Sequence, residues 1–319
     1  MKGRVGDSKA ESMAYRILSL DGGGIRGLIT IIFMERLLER YPNWLEGVDL
    51  FAGTSTGGIL SLGLASGLTP AELKQMYLKH GAEIFADSLW DDVKDLGRLA
   101  GAEYSSDNLK RITQEIFGDR TLGDLKQRVV VPVFDLDNEA QEARSRSWKP
   151  KIFHNFPGPD VDADMPLWKV AFYTSLAPTY FPPSDGYIDG GVFANSPGMI
   201  AVGQTQDQRS AEPNPALDEV RLLSLGTGRS LSFIDKPNPD WGEWKWVRPL
   251  LQLMFQADMD VADYQCRQFL GDRYHRLNLN FPPGTKIPMD DVVSVVEMET
   301  YAKTHDLEAA FDWLERHWL

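Results

Sequence analysis

The chain has 319 residues, 43% of them hydrophobic, enough for a large core in one big α/β domain or two modest ones. Its 33 Lys and Arg against 46 Asp and Glu leave a formal net charge of −13, which repels phosphate backbones, excludes nucleic acid polymers as an expected partner and leaves membrane contact to a local apolar surface. One cysteine, Cys266, excludes an intrachain disulfide framework and a multi-cysteine zinc site.

Residues 1–13, MKGRVGDSKAESM, read as a polar, disordered lead-in without the apolar core of a secretory leader. No stretch stays apolar for the roughly 18 residues a bilayer span needs, so a cytoplasmic protein is expected. From 14 to 319 the expectation is a single domain. YRILSL (15–20) is a short apolar run, hence a buried strand, ended by Asp21-Gly22-Gly23-Gly24. LITIIFMERLLERY (28–41) repeats apolar residues at helical spacing. DLFAG (49–53) is a second strand, and GGILSLGLASG (57–67) an apolar helix closed by glycine. Strand, helix, strand, helix in quick succession is the pattern of a parallel sheet flanked by helices.

TPAELKQMYLKH (69–80) carries a capping box, with Thr69 at the N-cap, Pro70 at the first helical position and Glu72 three residues after the cap. Residues 84–108 read as helical fragments with a flexible GAEYSSD. RVVVPVFDLDN (128–138) is a third core strand, 139–165 a long surface connection, and LWKVAFYTSLAP (167–178) a helix stopped by proline. YIDGGVFANSPG (187–198) is a strand breaking into a glycine turn. VRLLSLGTG (220–228) is another buried strand and YHRLNLN (274–280) an edge strand. METYAKTHDLEAAFDWLERHW (298–318) is one last amphipathic helix.

Gly53-Thr54-Ser55-Thr56-Gly57 fits Gly-x-Ser-x-Gly, in which a strand turns sharply into a helix and holds a serine at the apex in a strained conformation. Glycine at 53 and 57 removes clashes with the flanking strand and helix, and the helix start favours negative charge at Ser55. A glycine-rich helix entry with a capping serine is the plainer alternative. One strand–helix unit earlier, Gly22, Gly24 and Gly27 satisfy G-x-G-x-x-G, so a dinucleotide site has to be weighed. That site needs an acidic residue at the end of the second strand; here Gly53 and the serine turn stand there, with Asp49 at the strand's beginning. The other use of such a loop is an oxyanion hole, in which the bare N–H groups of Gly23 and Gly24 sit beside a helix N-terminus. Arg26 projects from the first helical turn, either to anchor a phosphate head group or as a surface or salt-bridged residue.

Five histidines compete for the role of base. His80 at a helix end and His305 and His317 in the last helix read as capping and surface residues, whereas His154 and His275 are conceivable bases. A Ser…Asp…His order would make His275 the third member of a triad. The alternative is Asp189-Gly190-Gly191, a turn that can set one carboxylate beside the serine. Partial burial there would raise its basicity above the ordinary carboxylate value near 3.9.

Taken together, LSLDGGGIRG, FAGTSTGG, APTYFPPSDGYIDGG and LLSLGTG resemble the patatin-like phospholipases, over about residues 15–270. WGEWKWVRPLLQLMFQADMDVADYQ (241–265) also looks like that family's segment after the last glycine turn. The resemblance implies a three-layer α/β/α fold with a central, mostly parallel sheet, and a lipid acyl hydrolase that uses a Ser–Asp dyad with no cofactor or metal. At matching positions it makes Ser55 the nucleophile, Asp189 the base and loop 22–27, with Gly23 and Gly24, the oxyanion hole. Gly53, Gly57, Gly190 and Gly191 then complete the two turns, and Asn195 and Pro197 follow as turn structure. The implied substrate is a glycerophospholipid or similar acyl ester met at a transient membrane contact. Trp244, Trp246, Leu250, Leu251, Met254 and Phe255 are candidates to line the acyl cleft or dip into the bilayer. Two alternatives stand beside this one: a binding or storage protein with the fold and no turnover, and an antiviral effector with a small-molecule activator, since some bacterial members of the family are switched on by a signalling nucleotide.

Overall fold

A computed structural model describes residues 14–84, 102–231 and 243–319; the lead-in expected at 1–13 and most of the stretch 84–108 lie outside them. Among the described residues seven strands share one sheet: β1 (Tyr15–Leu20), β2 (Leu50–Gly53), β3 (Arg128–Asp135), β4 (Lys149–His154), β5 (Tyr187–Asp189), β6 (Val220–Leu225) and β7 (Tyr274–Leu277). The order is β4-β3-β2-β1-β6-β7, parallel from β3 to β7, with β4 antiparallel to β3 at one edge. One side of β3 is divided between two partners. Residues 128–130 pair with β2, while 133–135 pair with the antiparallel β5.

Successive side chains of a strand point to opposite faces, and here both faces are covered. Leu18, Leu20, Val129, Val131, Leu223 and Leu225 point into one apolar layer, and Ile17, Val130, Val220 and Leu222 into the other. That is why these strands read as continuous apolar runs. The helices are α1 (Gly27–Arg40), α2 (Thr56–Ala65), α3 (Pro70–Ile84), α4 (Asp107–Phe117), α5 (Leu167–Thr174), α6 (Gly191–Ala194), α7 (Gly198–Thr205), α8 (Glu243–Leu270), α9 (Val295–Thr304) and α10 (Glu308–His317). α1, α2, α5, α9 and α10 fill the first layer, and α7 and α8 the second, which gives the expected mostly parallel α/β/α arrangement. Among the described residues no helix is long and apolar enough to cross a membrane.

The structure departs from the sequence reading in three places. The surface connection expected at 139–165 contains β4, whose exposed Lys149 and Pro150 give way to the buried Phe153 and His154 as it pairs along β3. A charged sequence is tolerated there because β4 is an edge strand. The expected last helix is two helices: His305 is extended, with φ −63° and ψ 136°, and Asp306 Oδ1 accepts the Glu308 N–H at 2.9 Å to start α10 afresh. Finally, α3 runs on to Ile84, past the expected end at His80, while its capping box forms as read, with Thr69 N–H donating to Glu72 Oε2 at 2.8 Å.

One long-range pair fixes the sheet beneath the glycine loop. Arg276 on β7 donates from Nη1 to Asp21 Oδ1 at 2.9 Å and to Ser224 Oγ at 2.7 Å, and its Nη2 also bonds Asp21 Oδ2. Asp21 is fully buried. Removing one partner of a buried pair leaves the other charge uncompensated. Arg276→Met is therefore expected to lower the unfolding free energy by about 3–5 kcal/mol in urea titrations, with part of the loss recovered in the Asp21→Asn, Arg276→Met double variant.

Candidate active site

β1 and β2 are parallel neighbours, with Leu20 paired to Gly53, so the glycine loop and the serine turn leave the sheet side by side. Ser55 follows β2 and heads α2 at φ 55° and ψ −125°, a conformation that costs a non-glycine residue about 1–3 kcal/mol. Close packing leaves the turn no other course. A Cβ at Gly53 would overlap Gly57 O, and one at Gly57 would overlap Leu20 O. Hydrogen bonds then pin it. Ser55 N–H donates to Thr174 Oγ1 at 2.9 Å, and the Thr174 hydroxyl donates to Pro132 O at 2.7 Å. The Thr54 hydroxyl donates to Ala194 O at 2.6 Å, tying the serine turn to α6.

Asp189 ends β5, two residues before α6 begins, and is only 2% exposed. Its Oδ1 accepts the Gly191 N–H at 2.7 Å. Burial pushes its carboxyl up to about 7, against hydrogen bonds from Ser55 and from the Gly191 N–H that pull the other way. Ser55 and Asp189, from distant parts of the chain, thus line one cavity together. Gly190 packs against Pro132 O, and Gly191 against Phe255.

The glycine loop lies across from this pair. Gly23 and Gly24 line the same cavity as Ser55 and Asp189, and among the described residues neither of their N–H groups has a protein acceptor. Gly22 is held from both sides: its N–H donates to Asn195 O at 2.9 Å, and its carbonyl accepts the Thr227 hydroxyl at 2.9 Å. Gly27 packs on the Thr56 side chain, closing the loop against the start of α2. Arg26, expected at a phosphate head group, turns elsewhere. Its guanidinium donates to Gly23 O at 3.4 Å and Ile287 O at 3.5 Å, and it does not line the cavity.

The cavity holds about 980 Å³ of atom-free space, its open mouth included. Its walls come from Ile59 of α2, Leu73 and Met76 of α3, Leu109, Ile112 and Ile116 of α4, and Phe181. Such an apolar slot, with a few polar groups converging at one end, suits a ligand with a long hydrocarbon part. Among the described apolar candidates in 244–255, only Phe255 lines it. Trp246, Leu250 and Met254 are exposed, Leu251 is half-buried, and the Trp244 side chain lies outside the described residues.

Among the described residues no histidine hydrogen-bonds Ser55. His154 is buried with its ring edge-on to Phe156, and His275 stacks on Trp313 with burial lowering its pKa to about 4; neither lines the cavity. His80, expected as a cap, instead sits in the cavity wall with Nδ1 3.0 Å from Glu83 Oε2. Two further residues escaped the sequence reading. Thr174 props the serine turn, and its signal was a lone threonine at the buried end of a mostly apolar helix. Asp258 of α8 accepts the Ser196 N–H at 2.9 Å, and burial pushes its carboxyl up to about 6. Asp258 thereby fixes the backbone whose carbonyl holds Gly22.

Residues 18–202 match the family model of the patatin-like phospholipases. The chain is 31% identical over 270 residues to a cGAMP-activated phospholipase of Pseudomonas aeruginosa, a match spanning 83% of this chain and 78% of that one. It is also 29% identical over 337 residues to Patatin-1-Kuras 2 of Solanum tuberosum, spanning 90% and 84%. A family match that runs from inside β1 to inside α7 takes in the glycine loop, the serine turn and the aspartate turn alike, and the chain belongs to the patatin-like phospholipases.

Proposed function

We propose that the protein is a phospholipase-A-type acyl hydrolase working through a Ser55–Asp189 dyad. The observation that carries this reading is a strained serine and a buried carboxylate that share the wall of an apolar cavity. Ionised Asp189 takes the Ser55 proton as Oγ attacks the acyl carbonyl carbon. The carbonyl oxygen, now negative, accepts the N–H groups of Gly23 and Gly24, and the N-terminal end of α2 favours charge there. Collapse of this intermediate expels the glycerol oxygen, which receives the proton from Asp189, and leaves the acyl group on Ser55. Asp189 then takes a proton from water, whose oxygen attacks the acyl carbon; collapse breaks the bond to Ser55 Oγ, which takes the proton back from Asp189, and the fatty acid leaves. A carboxyl near 7 is a far better base than one near 3.9 and is still ionised in part at neutral pH. The substrate is a glycerophospholipid or similar ester, reached by transient contact with a membrane from a cytoplasmic setting.

The test is labelling with a fluorophosphonate together with lipid turnover. The protein is expected to carry the probe on Ser55, read by peptide mass spectrometry, and to release fatty acid from phospholipid vesicles. A chain that does neither is a binding module with this fold. The relative named as cGAMP-activated supports a second reading, activation by a cyclic dinucleotide, so both measurements are run with and without cGAMP. An unchanged rate removes that reading and leaves the first intact.

A further inference from the structure

The hairpin of β3 and β4 divides its charges by arm: Asp135, Asp137, Glu139 and Glu142 lie on the outgoing side. From Arg144 to Lys151 the returning arm carries four basic residues, Arg144, Arg146, Lys149 and Lys151, and no acidic one, within a protein of net charge −13. Trp148 stands among them, 72% exposed. The pairing register explains its position. Phe134 is opposite Pro150, and Leu136 and Trp148, both exposed, lie just beyond the last recorded pair, Asp135–Lys149. The other face takes the pairs Val133–Lys151 and Asp135–Lys149. This ribbon therefore has apolar residues on one face, with the basic residues gathered on the arm that carries Trp148 and the acidic ones on the other.

The apolar face leads to the candidate site. The Phe134 ring lies 6.0 Å from that of Phe193 on α6, the helix that begins two residues after Asp189. Arg144, Arg146 and Lys151 form ion pairs with Glu142, Asp137 and Asp162, and Lys149 has no ion partner among the described residues. Exposed pairs such as the first two contribute little, and their cations exchange readily for phosphate groups.

An exposed tryptophan flanked by Lys and Arg is the chemistry of a membrane interface. The indole settles at head-group level, and the cations meet lipid phosphates. We propose that the β3–β4 ribbon, through Trp148 and Lys149 with Arg144 and Arg146, docks on an anionic glycerophospholipid bilayer and brings the cavity to it. The biological purpose of this contact rests on the acyl-hydrolase reading, but its measurement does not. It also amends the expectation from net charge, because the contact is local but basic as well as apolar.

The experiment uses full-length Ser55→Ala protein, which leaves vesicles intact, sedimented with vesicles of phosphatidylcholine alone or mixed with phosphatidylglycerol. Binding to the mixed vesicles is expected, weakening as salt is added. Adding Trp148→Ala should weaken it about tenfold and Lys149→Glu about fivefold. With Ser55 restored, both variants should hydrolyse a water-soluble short-chain ester at the wild-type rate. Equal partition of the Trp148→Ala protein and its parent overturns the proposal. So does a fall in oligomeric state with Trp148→Ala and no vesicle binding by the parent, which would assign the ribbon to a second copy of the chain. Failure of the acyl-hydrolase reading itself appears only in the ester assay, not in the partition.

Discussion

Ser55→Ala is expected to lower kcat for phospholipid hydrolysis by about 10⁶-fold, the scale of losing the nucleophile from a serine hydrolase. The fold should survive the change. Alanine has the same Cβ at φ 55° and ψ −125°, so the backbone strain is unaltered, and the Ser55 N–H bond to Thr174 stays. What disappears is the hydroxyl that bonds Asp189. Because that bond holds the carboxyl down, Asp189 in the variant should titrate higher than about 7, observable by difference infrared spectroscopy. Ser55→Gly makes a useful companion, equally inactive but relieved of the positive-φ penalty and hence more stable by about 1 kcal/mol. A Ser55→Ala protein that keeps more than about 1% of its turnover would place the nucleophile elsewhere.

The parts of this site that could be read from sequence are those in which geometry demands a particular residue. Gly53 and Gly57 have no room for a side chain, and Gly23 and Gly24 offer bare N–H groups, so each left a glycine at a fixed place. β1, β2, β3 and β6 were legible because both their faces are buried and their runs are mostly apolar. The edge strand β4 was not, since its lysines face water and only its pairing with β3 makes it a strand. The split between α9 and α10 hid inside one continuous amphipathic pattern, with Asp306 as its sole local mark. Harder still were contacts between distant residues. Asp21 finds Arg276, Ser55 finds Thr174, and the backbone at Ser196 finds Asp258, and no local pattern announces any of these. Arg26 and His80 show the converse: each was read from its place in a helix, and each role was decided by what packs around it.

Asp189→Asn should remove activity and stabilise the protein together, and the two effects share a cause. The carboxyl is buried without enough partners to hold its charge at the ordinary carboxylate value, so the folded state raises its pKa from 3.8 to about 7. A raised carboxyl favours folding fully only while it is protonated in both states. That contribution is lost as pH climbs through the window from about 4 to about 7, where the unfolded chain has released its proton and the folded one has not. At about 1.4 kcal/mol per pH unit, the window sets a ceiling of about 4 kcal/mol on the destabilisation above pH 7. Asparagine carries no charge at any pH. In urea titrations its advantage over wild type should therefore be largest above pH 7, shrink steadily below it and vanish near pH 4. Wild-type kcat should rise with pH through about 7 as the base ionises, and the variant should lose about 10⁴-fold or more in rate along with that rising limb. An Asp189→Asn protein less stable than wild type at pH 8 would show that the carboxylate is held comfortably in its turn. It would then be a structural anion, and the proton from Ser55 would need another acceptor.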